Sequence, residues 1–303
     1  MTAKEMPAVR DRPHSSFSFR RVAAIAANTV LELTRQKVFY FILLFALLLI
    51  GTSGFLAPLS FQQEFQLLKD VALGAMSIFV SLLAIASTAR LLSQELEDRT
   101  IYTILAKPVS RFEYLLGKLA GVILLLALSL VFMSALFFAV LYLREQTVLR
   151  ETARQISGLP AEQINDALRT VRASAFNASL FPAIVIIYFK GCLLASLTLF
   201  VSTFATSNIF TIVVMAFIYF IGHLQATARA YWLQQHSAGW LKHAFLGFVA
   251  LVFPDLQAFN LIDDAVAGVA IPATLFLNTM LLGVFYTTIY LLLAAVVFYG
   301  KEL

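Results

Sequence analysis

Charge is what this sequence has least of. Asp, Glu, Lys and Arg make up 13% of its 303 residues, about half the share that a globular protein uses to cover its surface. With apolar residues at 60%, the chain has too little polar surface for a water-soluble domain, whereas a bilayer accepts an apolar exterior. Cysteine is nearly absent too: the single Cys192 excludes an intrachain disulfide and a cysteine-based metal cluster. The sequence contains no G-x-x-x-x-G-K-[ST] phosphate loop, so it lacks that means of gripping ATP. The net charge of +5 does not point to nucleic acid, because the basic residues sit mainly before and between apolar runs, as in the cytoplasmic loops of membrane proteins.

What is present is a series of long apolar runs. Roughly 20 such residues cross about 30 Å of hydrocarbon, and windows of that length predict an all-α, polytopic membrane protein with six spans: Val38 to Ala57, Val71 to Leu92, Leu115 to Leu143, Phe181 to Phe204, Ile209 to Leu224 and Pro272 to Tyr299. The fifth is the shortest. Arg20 and Arg21 precede only a short apolar stretch, so a cleaved signal peptide is not expected. Lys and Arg are concentrated before the first span and between the second and third, while the stretch Pro58 to Asp70 has only Lys69. This bias places both termini in the cytoplasm.

The organisation expected is a cytoplasmic N-terminus, 1–37, and a transmembrane domain, 38–303. The domain carries a coupling segment at 93–112, an extracytoplasmic loop at 144–180 and an outer interfacial or re-entrant region at 225–271. In the N-terminus, Val22, Ile25, Ala26, Thr29, Val30 and Leu33 recur at helical spacing, which predicts an amphipathic helix suited to the inner membrane surface. In the outer region, Ala244 to Phe253 is ten apolar residues ending at Pro254, too short to span. Tyr231, Trp232 and Trp240 precede it as headgroup anchors. A seventh span here would put the carboxyl terminus outside.

The most informative stretch is Ser93 to Gly121. A helix leaving the second span continues through Glu95, Glu97, Asp98 and Arg99 and stops near Lys107, because Pro108 disfavours helical geometry in the residue before it. Ser110 and Glu113 then form an S-x-x-E capping box that starts the third span beside Arg111. Gly117 and Gly121, four apart, leave a smooth patch for a second helix. The competing reading is an ordinary solvated loop.

The pattern E-x-E-x-x-T, then K-P-V-S-R, then L-G-K, carried by Glu95, Glu97, Thr100, Lys107, Pro108, Val109, Ser110, Arg111, Gly117 and Lys118, resembles the cytoplasmic coupling segment of ABC-2-type permeases. Arg99 stands where many members have glycine, as in the branch that resembles the permeases of nitrous-oxide-reductase maturation and gliding motility. Asn28, Thr29, Glu32, Arg35 and Lys37 resemble the family's leading helix, and Ser202 to Asn208 its second cytoplasmic loop.

The resemblance implies a half-transporter of the cytoplasmic membrane. Two permeases, a second copy or a homologue, form the pathway, and two ABC ATPase subunits dock on the coupling helices and hold ATP and Mg; this chain binds no cofactor directly. The implied coupling residues are Glu95, Glu97, Asp98, Arg99, Thr100, Lys107, Pro108, Ser110 and Arg111. The implied function is ATP-driven export, the permease itself not being an enzyme. A mechanical transmitter acting on an extracytoplasmic partner protein is the alternative, and a membrane-embedded enzyme the third reading.

Three further signals carry two readings each. Lys190 lies mid-way along the fourth span, where a lysine costs about 2.5–3.5 kcal/mol on insertion scales; it is either a pathway cation or a side chain that snorkels or pairs with an outer acid. Pro160 opens a helix whose apolar stripe is Ile164, Leu168, Val171 and Ala175, facing either a partner or its own permease. His223, His236 and His243 with Asp255, Asp263 and Asp264 gather potential ligands, but their spacing fits no known metal pattern.

Overall fold

The structure, a computed structural model, describes residues 17–56, 64–97, 110–156, 160–205, 207–234 and 254–300. A chain this apolar must satisfy its own backbone in lipid, and helices do so within one segment. Among the described residues there are nine α-helices, numbered here in chain order: α1 Phe19–Thr34, α2 Lys37–Leu56, α3 Glu64–Glu97, α4 Arg111–Gln155, α5 Ala161–Ala175, α6 Leu180–Phe204, α7 Asn208–Gln234, α8 Ile262–Ala267 and α9 Ala273–Tyr299. Six of them, α2, α3, α4, α6, α7 and α9, are long and apolar enough to cross a membrane.

The bundle has an inside and an outside. In α3 and α6, 72% and 78% of the apolar window is buried, against 17% in α2, 22% in α7 and 28% in α9. Thus α3 and α6 form the protein core, and the other three present residues such as Phe55, Phe217 and Val296 outward, to lipid. Small residues let the core helices close up: Gly191 of α6 abuts the Val80 side chain of α3, where a Cβ would clash.

The helices are longer than the apolar windows. Residues 64–70 are already helical in α3, and Glu64 there meets Arg144 of α4 at 2.7 Å. The loop expected from Pro58 to Asp70 is correspondingly shorter. Likewise α4 runs on from Leu143 to Gln155, so the first third of the expected 144–180 loop is helix. At about 1.5 Å per residue this rod is about 67 Å long, roughly twice the hydrocarbon thickness. Hydropathy ends at Arg144, but the residues beyond it are helix formers that need no lipid.

The predicted amphipathic helix is α1, and its apolar face packs on protein. Val22, Thr29 and Leu33 are buried. Gly117 and Gly121 supply the smooth patch: a Cβ on Gly117 would lie 2.7 Å from Ile25 Cβ, and one on Gly121 2.6 Å from Thr29 Cβ. So α1 lies along the first turns of α4. The stripe of α5 is its less exposed side, with Ala175 fully buried, and α5 packs on α4. Pro160 stands as the N-cap of α5.

After α7 the chain returns at Pro254. Leu256 N donates to Gly222 O at 3.1 Å, and Phe259 lies where a Cβ on Gly283 of α9 would come within 3.2 Å of its ring. Residues 254–267 therefore pack against the middle of other helices, beside Gly222 of α7 and Gly283 of α9. Ala244–Phe253, Trp240, His236 and His243 lie outside the described residues. The described starts of α1 and ends of α9 meet at one end of the bundle, as an even number of crossings requires.

Gly121→Val should push α1 off α4, because Thr29 Cβ and Ala26 O, 2.9 Å from the added Cβ, leave no room. The expected loss is about 1–3 kcal/mol, read as a lowered thermal midpoint and easier proteolysis of α1. Gly74→Ala, which meets nothing within 4 Å, should not lower it.

Candidate coupling site

Two ion pairs, Arg21 with Glu113 and Lys118 with Glu32, lie at the end of the bundle where α4 starts. Ser110 is extended, with φ −72° and ψ 149°, and its Oγ accepts from Glu113 N at 3.1 Å. Glu113 Oε2 in return accepts from Ser110 N at 3.0 Å. The capping box satisfies two groups that a new helix leaves orphaned.

Glu113 does more than cap. It is fully buried, 0% exposed, and its Oε1 accepts from Ser18 N at 2.6 Å and pairs with Arg21 Nη2 at 3.2 Å. A carboxylate out of water costs several kcal/mol unless it is paired and hydrogen-bonded. Three donors from two segments meet that requirement and tie the start of α1 to the start of α4. Five residues on, Lys118, 4% exposed, reaches Glu32 near the end of α1 at 3.2 Å and lies 5.9 Å from the Tyr114 ring centroid. On α1 the paired residues Arg21 and Glu32 bracket Ile25 and Thr29, which meet the two glycines.

Arg111 faces the other way. Its Nη1 donates to Phe298 O at 2.9 Å and Tyr299 O at 3.1 Å. Its guanidinium carbon lies 5.8 and 5.7 Å from the two ring centroids. A cation on the last carbonyls of α9 satisfies orphan acceptors and complements the helix dipole. Tyr114 stacks on Phe298, centroids 6.3 Å apart. The first turn of α4 is thus fastened to α1 on one side and to the end of α9 on the other.

Of the residues expected in coupling, Ser110 and Arg111 are therefore in this junction, with roles inside the permease. Glu95 and Glu97 occupy the last helical turn of α3. Asp98, Arg99, Thr100, Lys107 and Pro108 lie outside the described residues. At the same end α6 and α7 are joined across 205–207, within the expected Ser202 to Asn208 turn.

The sequence reading missed the partners of Glu113, Lys118 and Arg111. One signal was available for two of them: Arg21 and Glu32, three turns apart on the polar side of α1, complement Glu113 and Lys118 in sign and order.

Lys190 sits elsewhere, inside the bundle between α3, α6 and α7. It is 4% exposed, so it does not snorkel. Its Nζ lies 3.2 Å from Ser77 Oγ and 3.2 Å from His223 Nε2, and 5.5 Å from the Tyr219 ring centroid. No carboxylate pairs with it among the described residues. His223, grouped by sequence with outer ligands, is instead Lys190's neighbour.

Glu113→Gln should cost about 2–4 kcal/mol, because Arg21 loses its counter-charge and an amide NH2 replaces an acceptor oxygen. A lowered thermal midpoint, with proteolytic release of α1, is the expected readout. Arg20→Gln, at the exposed neighbouring position, should change neither.

The family described as ABC-2 family transporter protein matches residues 58–299, which takes in α3 through α9 and the whole junction from Glu95 to Lys118. No curated protein matches the chain. The match covers most of the sequence and agrees with six apolar helices and a charged junction between the second and third. The chain belongs to the ABC-2 transporter family, as a multi-pass membrane permease subunit that works with an ABC ATPase subunit.

Proposed function

We propose that the chain is the permease of an ATP-driven exporter of the cytoplasmic membrane, with both termini inside. The ATPase subunits, two per complex and holding ATP and Mg, dock on residues 93–112, and a second copy or a homologue completes the pathway. One observation carries this reading: α3 leaves the core unbroken as far as Glu97, and α4 restarts at a locked capping box thirteen residues later, at Ser110. Because α4 is fastened to α1 and to the end of α9, a push received at its start would reach those elements together.

Glu95, Glu97 and Asp98 on one side and Arg99 on the other would pair with charges on the ATPase rim. Exposed pairs contribute about 0–1 kcal/mol each, so one neutralisation weakens docking without abolishing it. Lys190 is the pathway cation of this reading. It is buried among neutral partners between the two core helices and α7, where an anionic group would supply its missing counter-charge.

A second reading, a mechanical transmitter acting on an extracytoplasmic partner, is favoured by the length of α4. The same helix that opens with the capping box continues past the bilayer to Gln155 and carries α5 on its far end. It would deliver motion across the membrane whether or not anything passes through.

Glu95→Lys with Glu97→Lys introduces repulsion at two points, and should abolish stimulation of the cognate ATPase while the permease remains inserted. Pro108→Ala should leave binding intact and lower stimulation. Copurification and ATPase assays in nanodiscs read both. Wild-type stimulation in the double reversal would remove the segment from coupling. Lys190→Met should insert normally, since no described acid is stranded, and should lose substrate-stimulated ATPase activity; unchanged stimulation would leave Lys190 without a pathway role.

A further inference from the structure

Lys190 is a cation in α6, the most buried span, and its neighbours among the described residues are neutral. Its Nζ lies 3.2 Å from Ser77 Oγ of α3 and 3.2 Å from His223 Nε2 of α7, with the Tyr219 ring centroid at 5.5 Å. Ionisable side chains inside spans are costly, and they recur along ion and proton pathways. Two titratable groups in direct contact hold their protons as a pair and not one by one.

The geometry fixes how many protons this pair holds. His223 Nδ1 lies 3.0 Å from Tyr219 O. A carbonyl only accepts, so Nδ1 carries the ring's proton and Nε2 its lone pair. Lys190 therefore donates to Nε2. A second proton on the pair removes that lone pair and sets two cationic N–H groups 3.2 Å apart. Even screened as in water, that repulsion disfavours the contact about tenfold, and more inside a protein. The surroundings do not relieve it: α3 brings the hydroxyls of Ser77 and of Ser81, which donates to Ser77 O at 2.7 Å, and α7 brings the Tyr219 ring. No charged side chain of α4 or α9 is bonded to either member among the described residues. Asp255, on the return segment, acts on His223 through its charge but is not bonded to it. The segment is anchored beside the ring by Leu256 N donating to Gly222 O. Lys190 is 4% exposed, whereas His223 and Asp255 are half-buried, so the histidine is the outer member of the pair and the acid stands next to it.

We propose that Lys190 and His223 form a proton-binding site within the bundle: one proton holds the pair together, and a second, taken up at Nε2, breaks the Nζ–H to Nε2 bond and turns the imidazolium toward Asp255. The incoming proton comes from solvent, and the lone pair that accepted from Lys190 becomes the new N–H bond. The ring then has a carboxylate to face, and Lys190 has an N–H free for another acceptor. Because α7 keeps only 22% of its apolar window buried, the contact that ties it to α6 becomes acid-sensitive. The site stands on the contacts of Lys190 and holds whether or not Lys190 serves a transport pathway.

The test uses the full chain in nanodiscs, 15N-labelled at histidine and lysine, with each imidazole read by solid-state NMR from about pH 8.5 to about pH 4.5, two units either side of the ordinary imidazole value of about 6.5. The chain has four histidines, and the signal that His223→Gln removes identifies the ring. At the alkaline end His223 should be neutral, protonated at Nδ1, with a nitrogen–nitrogen contact to a lysine that Lys190→Met abolishes. Acid should convert the ring to imidazolium and remove the contact in the same step. At the pH where half of the wild type is converted, Lys190→Met should raise the ratio of cationic to neutral ring about tenfold, and Asp255→Asn should lower it. Opposite signs in the two variants separate the proposal from a loss of fold, which would move both alike. A ring that stays neutral throughout, a lysine contact that persists in the imidazolium form, or a ratio that matches the wild type in either variant would overturn the proposal.

Discussion

The buried carboxylate of Glu113 is the interaction on which the junction of α1, α4 and α9 depends. It accepts from Ser110 N at the start of α4, from Ser18 N at the start of α1, and from Arg21 one turn into α1. Because it is wholly withdrawn from water, each of those donors offsets a desolvation cost that the fold otherwise bears. The pairing also fixes register. With Glu113 on Arg21 and Lys118 on Glu32, the only surface that α1 can lay against α4 is the one where Gly117 and Gly121 leave space for Ile25 and Thr29. Arg111 then extends the same joint to the last carbonyls of α9. Three elements, α1, the first turns of α4 and the end of α9, are therefore held at one joint.

The bilayer imposes the complementary constraint. Lipid gives no reward for burying apolar groups between helices, so close association relies on small residues and on polar contacts inside the bundle. Gly191 against Val80 is the first kind, and Lys190 with Ser77 and His223 the second. Gly191, Val80, Lys190 and Ser77 lie on the two most buried spans, and His223 reaches them from α7. The peripheral spans keep their phenylalanines and valines outward, which is why 60% apolar composition coexists with a compact core drawn mainly from α3 and α6.

What the sequence made legible was local or periodic. The six apolar runs, the S-x-x-E box at Ser110 and Glu113, the glycine pair and the stripe of α5 are all patterns within one continuous stretch of chain, none longer than about 30 residues, set by backbone geometry. Helix lengths were less legible, because hydropathy reports lipid contact and not helicity; residues 64–70 and 144–155 are helix without being apolar. Long-range partners were not legible at all. Arg111 with Phe298 O, 187 residues apart, and Asn177 with Ala265 O, 88 apart, follow from packing of whole helices. Lys190 was marked by its position alone, and its neighbours required the fold. Of the expected coupling segment, 93–112, residues 98–109 lie outside the described structure, and their share of the family pattern was legible in sequence alone.

The central claim is that α1, the first turns of α4 and the end of α9 move as one body. Spin labels on introduced cysteines at Ala24 of α1 and Val296 of α9, both exposed, with buried Cys192 left unlabelled, report that distance directly by double electron–electron resonance. The measurement is made on the permease with its ATPase, without nucleotide and with ATP trapped. The predicted result is one narrow distance, the same in both states, that broadens when Glu113 is replaced by Gln. A distance that shifts with nucleotide in the wild-type junction would contradict the account.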